Sequence, residues 1–394
     1  MAKLKSKENL SAKIKVIGIG GCGGNAISRM YEDFPRSVDL IAINTDIQDL
    51  NGVNARKKIH IGKNLTRGLG TGMNPDLGRQ AAEESRSEII EVLKGADMIF
   101  ITAGEGGGTG SSGAPVVAEI AKELGILTIA VVTKPFSFEG SQRMRIAQEG
   151  ITKLRGCVDA LITIPNDKIF SVINKDTSLL KAFEAIDEVL KSAVLGITEL
   201  IMSPGIVNID FADVKTIMNE AGSAIIGIGV AGGQERASRA VNMAINSPLL
   251  ETSIEGAKGV LFGISGHKDL KMSEINEIAK LISESVDHAA KIIFGAYHDR
   301  KLNKGQLKIT LIATGFNGDL RQTSSLSSSL FASNVDGSAD LKFISEKQLE
   351  ESNPSNSTKL SYGAIKEEKK EEKSKKEKSE EIWEIPAFLR KRKR

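Results

Sequence analysis

Cysteine is nearly absent from these 394 residues: Cys22 and Cys157 are the only two. Two thiols cannot build a disulfide framework or a cysteine-rich metal site. The four histidines, His60, His267, His288 and His298, show no metal-ligand spacing, and His288 and His298 are expected on helix surfaces. No run is apolar enough to cross a bilayer and no secretory leader is visible, so a cytoplasmic protein in a reducing compartment is expected. Neither sign of charge dominates: 53 Lys and Arg against 50 Asp and Glu leave +3. The bases are not gathered on the folded part, so nucleic acid is not an expected partner.

Glycine is plentiful, and much of it falls in two turns: Gly18-Ile19-Gly20-Gly21-Cys22-Gly23-Gly24-Asn25 and Gly104-Glu105-Gly106-Gly107-Gly108-Thr109-Gly110-Ser111-Ser112. Each follows an apolar run, Lys13 to Ile17 and Asp97 to Thr102, and precedes a helix-like stretch, Asn25 to Tyr31 and Ala114 to Leu124. Backbone without Cβ atoms can bring successive N–H groups to phosphate oxygens, and the helix behind it adds free donors and a positive dipole end. A Walker A loop is excluded, because neither turn holds Gly-Lys-Ser/Thr. A Rossmann-type NAD-dependent dehydrogenase stays open as the alternative, since Gly18 to Gly23 fits G-x-G-x-x-G and Asp46 ends the next strand where a ribose-binding acid belongs. The second turn argues for a triphosphate, which needs a second cradle.

Further apolar runs at Leu40–Asn44, Leu127–Val132 and Ala160–Ile164 alternate with helical stretches, the order of a doubly wound parallel sheet. Its ligand belongs at the carboxyl ends of the strands, where Asn44, Gly72, Asn74, the loop from Lys134 to Arg143, and Asn166 gather. A long helix is expected from Thr177 to Met202, apolar enough to lie between packed layers, stopping at Ser203-Pro204-Gly205. Phe183 and Asp187 stand four apart on it, and the pattern by itself reads as a core Phe beside a solvated acid. A second α+β unit follows, with strands at Ala224–Ala231, Gly259–Ser265 and Leu307–Thr314 and helices near Glu235–Asn246 and Ser273–His288. Beyond it the chain turns Ser-rich, then almost wholly Lys and Glu, which reads as a disordered linker. It ends in Ile382-Trp383-Glu384-Ile385-Pro386-Ala387-Phe388-Leu389 and five basic residues, a docking peptide on a tether. The expected organisation is a flexible start (1–12), a nucleotide-binding domain (13–176), a central helix (177–205), an α+β domain (206–317), a linker (318–381) and the terminal peptide (382–394).

Asp210 and Asp213 lie beyond the last turn of the central helix, which at 1.5 Å per residue spans about 37 Å. A site built on the first turns of that helix and acids placed beyond its last turn could meet only between subunits.

Taken together, Gly106 to Ser111, Gly20 to Asn25, Asn44-Thr45-Asp46, Val132 to Phe136, Phe138-Glu139-Gly140, Pro165 to Lys168 and Asn208 to Val214 resemble the tubulin/FtsZ family, and its bacterial division branch most closely. The resemblance runs from Lys13 to Phe316 and resumes at Ile385 to Lys391. It implies an α/β fold: a tubulin-like Rossmann-type GTPase domain with a parallel sheet, a long central helix, a second α+β domain and a disordered tail. It implies GTP/GDP as the nucleotide, held at the phosphates by Gly21, Cys22, Gly23, Gly24, Gly107, Gly108, Thr109 and Gly110 with Asn44 on the rim. Phe183 would lie against the base, Asp187, Asn166 and Asn25 would contact guanine or ribose, and Glu139 and Arg143 the ribose and phosphate side. Gly72 and Asn74 would sit near the γ-phosphate. Asn208, Asp210 and Asp213 of one subunit would complete the GTP site of the next, with Mg²⁺ offsetting phosphate charge and no metal site of the protein's own. The implied assembly is a head-to-tail homopolymer forming a division ring at the cell midpoint, with Ile385–Arg394 bound by membrane-tether and division proteins; membrane contact is indirect, assisted by the basic end. Three positions depart from the pattern. Cys22 stands for Gly or Ala, Glu105 for an apolar residue and Ser112 for Gly, the last two bearing on hydrolysis rate or magnesium affinity.

Overall fold

The computed structural model describes residues 12–316, apart from 175, 248–250 and 300. The linker at 318–381, the peptide at 382–394 and residues 1–11 of the expected flexible start lie outside the described residues.

The strands are β1 (Ile14–Ile19), β2 (Asp39–Asn44), β3 (Lys57–His60), β4 (Met98–Gly104), β5 (Leu127–Lys134), β6 (Ala160–Pro165), β7 (Gly205–Val207), β8 (Gly222–Gly232), β9 (Gly259–Gly266), β10 (Lys291–His298) and β11 (Gln306–Thr314). The helices are α1 (Gly20–Met30), α2 (Ile47–Gly52), α3 (Lys63–Thr66), α4 (Pro75–Glu84), α5 (Arg86–Leu93), α6 (Gly108–Glu123), α7 (Ser141–Arg155), α8 (Leu179–Met202), α9 (Phe211–Met218), α10 (Arg236–Ile245) and α11 (Met272–Glu284). Short 3-10 turns cover Ser137–Glu139 and Asn166–Ser171.

All eleven strands join one sheet in the order β3-β2-β1-β4-β5-β6-β8-β11-β9-β10-β7. From β3 to β8 every pairing is parallel. β1 is buried throughout, as expected of continuous apolar runs with helices on both faces. The strand order reverses between β1 and β4, so a crevice opens at their carboxyl ends, where open α/β sheets place ligands. β11 runs antiparallel to both β8 and β9, which gives the second half its α+β character. The nucleotide-type half and the α+β half share the sheet through Ala160–Ile162 of β6 and Gly222–Ala224 of β8.

α8 lies in the middle of the molecule, as its apolar sequence requires. Leu190, Ala193, Val194, Ile197 and Leu200 pack in one core with Val16 and Phe100 of the first half and Leu261 and Ile312 of the second. The hydroxyl of Tyr297 donates to the Leu200 carbonyl (2.7 Å), fixing the last turns of α8 against β10. The opposite face of the parallel sheet is covered by Ala81, Ala82, Ile89, Leu93, Val117 and Ile151 from α4, α5, α6 and α7.

Several expectations are corrected. α1 starts at Gly20 rather than Asn25, and α6 at Gly108 rather than Ala114, so the glycines form the first helical turns instead of a loop ahead of them. α11 ends at Glu284, which leaves His288 in a turn, and His298 closes strand β10; neither sits on a helix.

Candidate functional site

Both glycine turns lead from a strand into a buried helix N-terminus. Gly20 takes φ +71°, and a Cβ there would lie 3.2 Å from the Gly110 nitrogen, so the two helix starts nearly touch. Neither α1 nor α6 has a side-chain cap. Uncapped first-turn N–H groups are unsatisfied donors, and with the helix dipole they favour an anion. Thr109 ties the surrounding loops together: its hydroxyl lies 2.9 Å from that of Thr45 and 3.3 Å from that of Thr71. These hydroxyls bring Asn44, Gly72 and Asn74 to the same rim. Asn44 donates to Asp49 (2.7 Å), and Asn74 caps α4 by accepting from Asp76 and Leu77 (3.0 and 3.2 Å). Gly72 (φ +57°) and Gly107 have open space where a Cβ would stand. Gly21 and Asn25 are exposed, whereas Gly23 and Gly24 are buried.

At the other end of the crevice the sequence pattern is inverted. Phe183 is 40% exposed and Asp187 only 7%. Phe183 meets the buried Phe136 edge-on at 5.5 Å, and Phe138 and Phe170 flank Phe136 at 4.8 and 5.3 Å, so an aromatic wall faces open space. Arg29 donates through Nε to Asp187 Oδ2 (2.9 Å). Burial pushes the Asp187 carboxyl above its ordinary range, and the Arg29 guanidinium pulls it back. Asn166 is 93% buried, with Oδ1 lacking any hydrogen-bond partner, an arrangement that costs free energy unless a ligand donates to it. Glu139 accepts from the Phe136 backbone (2.8 Å) and from Arg143. An uncapped pair of helix N-termini, an exposed aromatic face, a buried carboxylate and an orphaned acceptor together fit a guanine nucleotide. Arg29 carried no signal in the sequence beyond standing one turn after Asn25.

Asn208, Asp210 and Asp213 are not brought to this crevice. They follow β7, beyond the far end of α8, whose 24 residues span about 36 Å. Asp210 caps α9, accepting from Ala212 (3.4 Å), and donates its own N–H to Asp213 Oδ2 (3.2 Å). Asn208 accepts from the Gly205 N–H (2.6 Å).

Cys22 packs against Gly104 and lies 3.8 Å from the Thr133 hydroxyl. Burial and the Asp187 charge push its thiol up to about 12, leaving on the order of one molecule in 10⁴ ionised at pH 8. The expected outcome is a thiol inert to iodoacetamide in the native chain and reactive after unfolding, read by mass spectrometry; rapid native alkylation would refute it.

Two family models match the chain: the GTPase domain of the tubulin/FtsZ family over residues 13–174 and the C-terminal domain of the FtsZ family over residues 222–317. Among solved structures, an empty FtsZ dimer from M. jannaschii is 47% identical, covering 78% of this chain and 89% of its own, with TM-score 0.74. A GDP-bound CetZ1 monomer from Haloferax volcanii is 22% identical over 78% of this chain and 95% of its own (TM-score 0.67). A CetZ2 protofilament with bound GTPγS from the same organism is 23% identical over 76% and 92% (TM-score 0.65). The CetZ likenesses speak to fold alone; the family models and the FtsZ identity, added to two uncapped helix starts on one crevice, make the chain a member of the tubulin/FtsZ family of self-assembling GTPases.

Proposed function

We propose that the chain binds GTP across the crevice, assembles head to tail, and hydrolyses each GTP with acids of the neighbouring subunit, building a filament of the cell-division ring. The observation that carries this reading is the length of α8: Phe183 and Asp187 stand on its first turns, Asn208, Asp210 and Asp213 follow its far end, and its 24 residues span about 36 Å. A heterologous contact that does not close generates a filament. Exposed apolar residues suit such a contact: Leu69, Met73, Phe138, Leu179 and Leu180 around the crevice, and Ile206 and Val207 beside the acids. The solved relatives include an FtsZ dimer and a CetZ protofilament, in keeping with a chain that stacks.

In this reading the N–H groups at the starts of α1 and α6 hold the phosphates, with Gly72 and Asn74 beside the γ-phosphate. Phe183 covers the base, and Asp187 accepts from guanine N1–H and the exocyclic amine, for which adenine offers the opposite pattern. Arg29 holds Asp187 from one side, and a carboxylate has lone pairs enough for both partners. Asn166 and Asn25 reach guanine or ribose, and Glu139 and Arg143 the ribose and phosphate. Asp210 and Asp213 orient the attacking water and draw off its proton. Among the described residues no three carboxylate, thiol or imidazole groups gather for a metal; a Mg²⁺ bound with the triphosphate would offset its charge, and such an ion needs at most about one or two protein ligands beside the phosphate oxygens.

The terminal peptide is a docking segment for membrane-tether and division proteins. Deleting Ile382–Arg394 is expected to leave assembly and GTP turnover within about twofold of the full chain, since none of the residues assigned to the nucleotide site or the trans acids belongs to it. A fluorescent fusion of the deleted chain is expected to lose membrane recruitment in cells. Loss of filaments in the purified deletion would refute the docking role. Direct titration of the chain with GTP, GDP and NADH separates the proposal from the dehydrogenase alternative, which requires NADH to bind more tightly than GTP.

A further inference from the structure

We propose that Glu105 makes nucleotide binding proton-linked: its carboxyl is neutral while a phosphate occupies the loop directly after it and ionises more readily once the phosphate leaves. The inference rests on reading that loop as the GTP phosphate site.

Glu105 is the last residue before Gly106-Gly107-Gly108. Its N–H donates to the Thr133 carbonyl (2.9 Å), and its side chain turns inward, 4% exposed, into the space between α6 and α7. Among the described residues no hydrogen bond of ordinary geometry reaches either carboxylate oxygen, although the Ser111 hydroxyl lies close enough to favour the ionised form in part. The space exists because position 150 is glycine: a Cβ there would run into Glu105 Oε2 and the Ser111 backbone. The loop above is held by the Gly106 N–H donating to Ser111 Oγ (2.8 Å).

Among the described residues no cation balances the carboxyl from the elements packed around it. α6 faces it with Ser111, and its first eleven residues, Gly108–Ala118, carry no charged side chain. α7 faces it with Gly150; Arg143 at the start of that helix is paired with Glu139, and Arg145 with Glu149 on the exposed side. β5 contributes Thr133, and α1 contributes Cys22, whose thiol stays neutral. Burial therefore acts nearly alone, pushing Glu105 up to about 7, with the Ser111 hydroxyl offsetting only part of it.

A Cβ at position 150 would meet both Glu105 Oε2 and, at 2.9 Å, Ser111 Cβ, so the carboxyl sits beside the first turn of α6, and a phosphate on that turn's N–H groups stands on the order of 10 Å from it. At that distance and an effective dielectric near 20, each phosphate charge adds about one pKa unit. The bound state then favours the protonated carboxyl more than the free state does. Binding takes up protons from about pH 7 upward, and nucleotide affinity falls as pH rises through that window. Near pH 5 the carboxyl is already neutral in both states and the linkage vanishes.

The test is calorimetric titration of the full chain with Mg·GTP and Mg·GDP at about pH 7.5 in two buffers of different ionisation enthalpy. The parent chain is compared with Glu105→Gln and with Glu105→Met, which restores an apolar side chain of similar volume. Subtracting a variant from the parent cancels the nucleotide's own protons. The parent is expected to take up several tenths of a proton more than either variant, and to lose about tenfold in affinity between pH 6.5 and 8.5 relative to them. Equal proton uptake in parent and variants, with GTP still bound, would overturn the linkage while leaving the nucleotide site standing. Failure of the parent to bind GTP at any pH would overturn the reading of the loop, and this inference with it.

Discussion

Asp213→Ala is expected to lower steady-state GTP hydrolysis roughly 10²- to 10⁴-fold while leaving GTP affinity within about twofold of the parent, the range of a lost positioned acid or base. The separation of effects follows from distance. Asp213 stands beyond the end of α8 and touches nothing in the crevice of its own chain, so its removal leaves the α1 and α6 termini, Phe183 and Asp187 as they were. Asp213 also closes the cap of α9 by accepting the Asp210 N–H (3.2 Å), and losing a cap of this kind costs about 1 kcal/mol. Asp213→Asn keeps an acceptor there and removes only the charge, so a matching loss of turnover in both variants assigns the effect to the carboxylate. Phosphate release and calorimetric GTP binding measure the two halves. If Asp213→Ala lost nucleotide affinity in step with turnover, the acid would belong to its own subunit's site and the trans arrangement would be wrong.

Asp187→Ala is expected to weaken GTP binding roughly 10- to 150-fold, the value of a charge-assisted hydrogen bond at about 1.5–3 kcal/mol, and to narrow discrimination against ATP by a similar factor. Asp187 is 7% exposed and held by Arg29 at 2.9 Å, so it is oriented before any ligand arrives. Its removal leaves Arg29 with the more distant Glu184 (3.6 Å), an exposed pair worth little. Asp187→Asn presents guanine with one acceptor where two are needed and is expected to fall between the two. Unchanged GTP affinity in Asp187→Ala would place the base elsewhere in the crevice.

The two variants also complement each other. At GTP levels where Asp187→Ala subunits are empty, Asp213→Ala subunits hold GTP but lack the acid, while Asp187→Ala subunits carry it. An equal mixture is expected to recover about a quarter of parental turnover, because about one heterologous contact in four joins an intact nucleotide site to an intact acid.

Where burial follows from residue type alone, the sequence is legible. β1, β4 and β5 are continuous apolar runs and α8 has an apolar stripe, and each lies within a few residues of its expected place. β3 was hidden because Lys57-Lys58-Ile59-His60 contains one apolar residue. Only six residues, 285–290, separate α11 from β10, and the first four residues of β10 are at least partly solvent-facing, so the helical pattern reads on to His288. Glycine disfavours helix in solution, which hid the true starts of α1 and α6; packing against the neighbouring sheet strands overrides that preference. In the site, the glycine turns and the polar residues at the strand ends were visible as motifs. The inversion of Phe183 and Asp187 was not, because it depends on Phe136 and Arg29, which are distant in sequence. Glu105 was visible as an unusual residue, but its burial depends on Gly150, which lies 45 positions along the chain.

The measurement closest to the centre of this account is light scattering of the purified chain with Mg²⁺ and GTP while phosphate release is followed in the same cuvette across protein concentrations. Scattering that rises with GTP, decays as GTP is consumed, and accompanies turnover only above a threshold protein concentration is expected, since the proposed active site is complete only between subunits. Turnover per subunit that stays constant from dilute to concentrated protein, with no scattering, would contradict it.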